Sequence, residues 1–123
     1  MMHKLLVVDD EQDICDFVQN FFRERGFQVF TALNGDEALS IAKRENPELV
    51  LLDIKMQGMD GIAVLKHLKE TNKNLKVIMV TALEDQDKMN EACRLGACDY
   101  ITKPLVLDHL EQAVEKQLKT VQL

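Results

Sequence analysis

The chain has 123 residues, 46% of them apolar, and a net charge of −6. That is enough apolar material for one hydrophobic core, too much for a disordered chain, and the wrong sign for a nucleic-acid-binding surface. No apolar stretch reaches the roughly 18 residues that a membrane-spanning helix needs.

The first strand candidate is Leu5-Leu6-Val7-Val8, followed at once by Asp9-Asp10. The next apolar residues, Ile14, Phe17, Val18, Phe21 and Phe22, share one helical face, which predicts an amphipathic helix. Asp10 is placed to cap its start and Gly26 to end it. Residues 27–32 read as a second strand. Asn34-Gly35-Asp36 turns into a helix carrying Ala38, Leu39 and Ala42, which Asn46-Pro47 breaks. Leu49-Val50-Leu51-Leu52 then leads to Asp53.

A glycine-bearing loop from Gln57 to Gly61 precedes a helix with Ile62, Leu65 and Leu68. Val77-Ile78-Met79-Val80 ends at Thr81, and a weaker helix follows through Met89, Ala92 and Cys93 as far as Gly96. A short strand at 98–101 runs to Thr102, Lys103 and Pro104. A final helix carries Leu107, Leu110, Val114 and Leu118.

Five β-α units without a linker or repeat predict one α/β domain over residues 1–123. Its sheet is parallel and doubly wound, with helices on both faces. The first strand starts almost at Met1 and the last helix ends near Leu123. The expectations drawn from this are a cytoplasmic protein without a leader and without a second domain. Cys15, Cys93 and Cys98 are odd in number and lack metal-ligand spacing, so they are expected to be free, buried thiols.

Chemistry in an open parallel sheet gathers beyond the carboxyl ends of the strands. There the sequence puts Asp9, Asp10, Asp53, Thr81 and Lys103. Each has an ordinary reading alone: a helix cap, a turn acid, a strand residue, a solvated charge. Together they form an oxygen-rich patch. Crowded carboxylates repel one another unless a cation joins them, and Mg²⁺ suits such ligands, with Mn²⁺ as the alternative. A metal, an ammonium and a hydroxyl around a carboxylate are what phosphoryl transfer needs, and a carboxylate can itself accept the group.

These residues lie in the motifs V-V-D-D-E at 7–11, L-L-D-I-K-M-Q-G-M-D-G at 51–61, V-T-A at 80–82 and G-A-C-D-Y-I-T-K-P at 96–104. Through them the chain resembles response-regulator receiver domains over essentially its whole length. The resemblance implies a flavodoxin-like sheet of order 2-1-3-4-5 with five helices. It implies that Asp53 is the phosphoacceptor. Asp10, Asp53 and the backbone carbonyl of Lys55 would hold the metal, with Asp9 acting through water. Lys103 would contact the phosphoryl group, Thr81 would swing toward it, and Tyr100 would turn inward after it. The Lys103–Pro104 bond would be cis.

The same resemblance implies a signalling switch, not an enzyme with a separate substrate. Its donor would be a histidine kinase or phosphotransfer protein, and its output a protein docked on the face of the fourth helix, fifth strand and fifth helix. It implies no contact with nucleic acid or membrane. Lys55 and Leu83 would border the path of attacking water; Leu83 cannot orient water and Lys55 would screen the phosphoryl group, so self-dephosphorylation should be slow. The chain departs from the family at Gln57, where proline is usual, which would loosen the loop without removing a catalytic group.

Other readings of the pattern are a degenerate receiver that only binds, a haloacid-dehalogenase-type phosphatase and a flavin module. The phosphatase needs a second Asp where Lys55 stands, and Asp9-Asp10 would repel a flavin phosphate. His3, His67 and His109 are read as surface or partly buried residues, and Met56 and Met59 as packing.

Overall fold

The computed structural model describes residues 3–56, 58, 60–82 and 86–122, with the last four of these as backbone only. Five strands alternate with five helices: β1 Lys4–Val8, α1 Gln12–Arg23, β2 Gln28–Ala32, α2 Gly35–Glu45, β3 Leu49–Asp53, α3 Gly61–Thr71, β4 Lys76–Thr81, α4 Gln86–Arg94, β5 Asp99–Thr102 and α5 Leu107–Gln122. All strand pairs are parallel, in the order β2-β1-β3-β4-β5. The doubly wound sheet expected from the alternation, and the strand order expected from the resemblance, are both present.

Each strand's run of apolar residues is divided between two faces by the two-residue period of a strand. Leu6, Val8, Val50, Leu52, Val77 and Met79 face α2, α3 and α4. Leu5, Val7, Leu49, Leu51 and Ile78 face α1 and α5. Burial on both faces explains why the strands read as unbroken apolar runs.

Local details depart from the sequence reading in several places. α1 starts after Glu11, whose side chain makes no cap bond, so Asp10 is not the cap; the Asp9 carboxylate instead accepts the amide of Glu11 at 2.9 Å. Phe17 is 49% exposed, because the buried stripe of α1 centres on Cys15, Val18 and Phe22 and Phe17 lies more than a quarter-turn off that line. Cys93 and Cys98 are exposed and only Cys15 is buried, although all three are free. β5 begins one residue later than expected, at Asp99.

Other boundaries follow from local chemistry. Asn34 caps α2 by accepting the amide of Glu37 at 2.8 Å. Asn46 ends it in the left-handed conformation, φ 52°, which Asn tolerates better than most side chains. Among the described residues no helix is long and apolar enough to cross a membrane.

Candidate functional site

The sheet register brings the expected residues to one end. Val8 of β1 pairs with Leu52 of β3, so Asp9 and Asp53 emerge side by side from the two central strands. Asp53 pairs with Val80, and Thr81 with Thr102. The amide of Lys103 donates to the Thr81 carbonyl at 2.7 Å, which carries β4–β5 pairing past Thr102 and brings the lysine stem over the strand ends. The Lys103–Pro104 peptide bond is cis.

Asp9, Asp53 and Thr81 are buried. The Lys103 ammonium is 3.2 Å from Asp53 Oδ2, 3.2 Å from Asp9 Oδ2 and 3.9 Å from Glu11 Oε1. The other Asp53 oxygen accepts the amide of Lys55 at 3.3 Å. One carboxylate oxygen each from Asp9, Asp10 and Asp53 lies within 4.8 Å of the others. Asp10, Glu11, Asp53, Lys55, Thr81 and Lys103 border a cavity of about 270 Å³, so Asp53 is buried by its neighbours yet faces an opening.

Burial, and then the charge of Asp9, push the Asp53 carboxyl up to about 6 against the pull of Lys103. Burial works to lower the Lys103 ammonium, but Asp53 and Asp9 outweigh it and hold it above its ordinary value. Lys103 therefore does not offset burial and the Asp9 charge at Asp53. This donor set fits a hard divalent cation: three carboxylates within reach of a common point, and in Asp53 a buried acid whose charged form is disfavoured.

Two expected groups stand elsewhere. Thr81 Oγ1 donates to the carbonyl of Ala82 at 3.1 Å and is not on Asp53. Tyr100 is 45% exposed, so its ring points outward. Leu83, Gln57 and Met59 lie outside the described residues. His3 meets Glu48 and His67 meets Glu70, while His109 flanks β5; none borders the acidic cavity.

The structure adds residues to which the sequence reading gave no role. Glu11 joins the rim beside Lys103, and its position directly after the acid pair was the signal. Gly61 packs on the end of β3: its amide donates to the Ile54 carbonyl at 2.7 Å, and a Cβ there would overlap the Asp53 carbonyl and sit 2.7 Å from Ile54 Cα. α3 can approach the end of β3 this closely only through glycine.

The fold and the site together define a doubly wound α/β domain with an acidic, lysine-closed pocket at the carboxyl ends of its strands. The chain belongs to the response regulator receiver domain family, whose model matches residues 5–115. It is 42% identical to Sporulation initiation phosphotransferase F of Bacillus subtilis, over 96% of this chain and 95% of that protein. It is 39% identical to the Transcriptional regulatory protein ZraR of Salmonella typhimurium, over 93% of this chain but 26% of that protein. Among solved structures it is similar to a CheY-like response regulator receiver domain protein from Methanospirillum hungatei. There the TM-score is 0.94 and the identity 28%, over 98% of this chain and 96% of the other. The chain thus spans nearly the whole of some relatives and about a quarter of others. It is a receiver domain of the two-component signalling class.

Proposed function

We propose that Asp53 is the residue that accepts the phosphoryl group. The observation that carries this is its placement: a buried carboxylate at a cavity mouth, bonded to Lys103, with Asp9 and Asp10 within metal-sharing distance. An Asp53 oxygen attacks phosphorus as the bond from phosphorus to the donor's imidazole nitrogen breaks, and the histidine leaves. Lys103 neutralises charge on the transferred group. Asp10, Asp53 and the Lys55 carbonyl hold Mg²⁺, or Mn²⁺, with Asp9 acting through water. The bound ion supplies charge neutralisation at the phosphoryl oxygens.

The added charge of about −2 draws Thr81 Oγ1 away from the Ala82 carbonyl, and Tyr100 turns into the space vacated. The altered face of α4, β5 and α5 then meets a downstream protein. The donor is a histidine kinase or a phosphotransfer protein, in the cytoplasm. The domain, taken as residues 1–123, transfers to no separate small-molecule substrate and contacts neither nucleic acid nor membrane. Lys55 and Leu83 screen the acyl phosphate from water and lengthen its life.

Incubation with acetyl phosphate tests this reading by intact mass. The expected result is a gain of one phosphoryl group that needs Mg²⁺ and is absent in Asp53→Asn. A gain retained in that variant overturns it.

A further inference from the structure

Among the described residues α4 is the helix least anchored to the core. It has nine residues and buries only Met89 and Ala92, whereas α3 buries five. Its first turn carries a second attachment. Lys88 Nζ lies 3.3 Å from Asp60 Oδ2. The other Asp60 oxygen accepts the amide of Ile62 at 2.9 Å and caps α3. Gly61, the next residue, is fixed to the acceptor strand by its bond to Ile54 and by backbone packing too tight for a Cβ. Lys88 therefore ties a weakly held helix to a rigid unit that begins one residue after Asp53. The pair spans one wall of a cavity of about 410 Å³ that also takes in Asp10 and Lys55.

We propose that the Asp60–Lys88 ion pair is a tether that holds α4 in the arrangement of the unmodified domain and is stretched or broken when Asp53 is loaded. This rests on the reading of Asp53 as phosphoacceptor. The direction follows from Thr81. In this arrangement its hydroxyl is satisfied by the Ala82 carbonyl, four positions before α4 begins. Turning it toward Asp53 releases that carbonyl, at the point where the chain leaves β4 for α4. Gly61 and the cap of α3 cannot follow, so a shift of α4 falls on the tether. A contact present in one state and absent from the other biases the equilibrium by its own free energy. Both partners are partly exposed, so the bias is modest, about two- to fivefold in an equilibrium constant.

The test uses beryllofluoride at saturating Mg²⁺ as the phosphoryl mimic, titrated by amide NMR. It compares wild type with Asp60→Asn, Lys88→Gln, Lys88→Arg and the double variant Asp60→Asn/Lys88→Gln. Asparagine caps helices as well as aspartate does, so Asp60→Asn removes the charge and keeps α3. The tether predicts about two- to fivefold tighter binding in Asp60→Asn and Lys88→Gln, no further gain in the double variant, and wild-type behaviour in Lys88→Arg. High salt should erase the differences. Without beryllofluoride, amide exchange across residues 86–94 should speed up in the two charge-removing variants. Unchanged or weaker binding in them, or gains that multiply in the double variant, overturns the tether while leaving Asp53 its role. A wild type that fails to bind beryllofluoride overturns both.

Discussion

Lys103 donates to Asp53 at 3.2 Å, reaching from beyond the end of β5 to the end of β3 across the intervening β4. The same ammonium is 3.2 Å from Asp9. Lys103 thus serves both buried acids, and it is brought there by the backbone bond that locks it to Thr81. The arrangement holds the site together without neutralising it, and the site's stability and chemistry both follow from that shortfall.

Asp53 should weaken the fold at neutral pH when no divalent cation is present. Its folded pKa of about 6 lies above the unfolded value of 3.8, so the folded chain binds the proton more tightly. Stability attributable to this group is greatest below pH 4, falls as pH rises to about 6, and is level above that. Asp53→Asn removes the penalty, worth up to about 3 kcal/mol. Thermal melts in chelator should show the variant more stable than wild type above pH 6, with the gap closing toward pH 4. A variant less stable than wild type at pH 7.5 contradicts the charge argument.

Divalent cation should reverse much of that penalty. A ligand bound only by the folded state stabilises it by about 2.7 kcal/mol at one hundred times its dissociation constant. Mg²⁺ should therefore raise the Tm of wild type in a concentration-dependent way, and Asp10→Asn should lose most of that rise. Equal Mg²⁺ responses in the two proteins would remove Asp10 from the metal site.

Gly61→Ala should be severe for a substitution of one methyl group. The added carbon meets the backbone of Asp53 and Ile54, neither of which can rotate away, and overpacking of this kind costs about 1–3 kcal/mol. Because the displaced atoms belong to Asp53, the proposed acceptor, and to Ile54, phosphorylation by acetyl phosphate should slow as well. Denaturant melts and a phosphorylation time course check the two effects separately; a lowered stability with an unchanged rate would mean that α3 yields and the acceptor stays put.

Lys55 lines the cavity that Asp53 faces and is exposed. If its side chain screens the acyl phosphate, Lys55→Ala should shorten the phosphoryl half-life several-fold without changing the Mg²⁺ requirement, as followed by intact mass after donor removal. An unchanged half-life would remove the Lys55 side chain from the path of attacking water.

The sheet and the gathering of Asp9, Asp53, Thr81 and Lys103 were legible because strands buried on both faces appear as uninterrupted apolar runs. The residue after each run must then stand at the same edge. The orientation of side chains within helices was less legible. Helical spacing groups Phe17 with Ile14 and Phe21, but only the position of the neighbouring sheet decides that the stripe centres on Cys15 and Val18, leaving Phe17 in solvent. Cys93 was misplaced for the same reason on a helix with only two core contacts. The bond of Thr81 to its own neighbour, the outward turn of Tyr100 and the Asp60–Lys88 pair depend on contacts between elements distant in sequence or on the state of the site, and no local pattern encodes them.

The most direct measurement of the central claim is the location of the phosphoryl group. The protein is incubated with acetyl phosphate and Mg²⁺, the acyl phosphate is reduced with borohydride, and the peptides are sequenced by mass spectrometry. Homoserine is expected in place of Asp53 and nowhere else, with none formed in chelator. Reduction product at Asp9 or Asp10, or an unmodified Asp53 in protein that has gained phosphoryl mass, would contradict it.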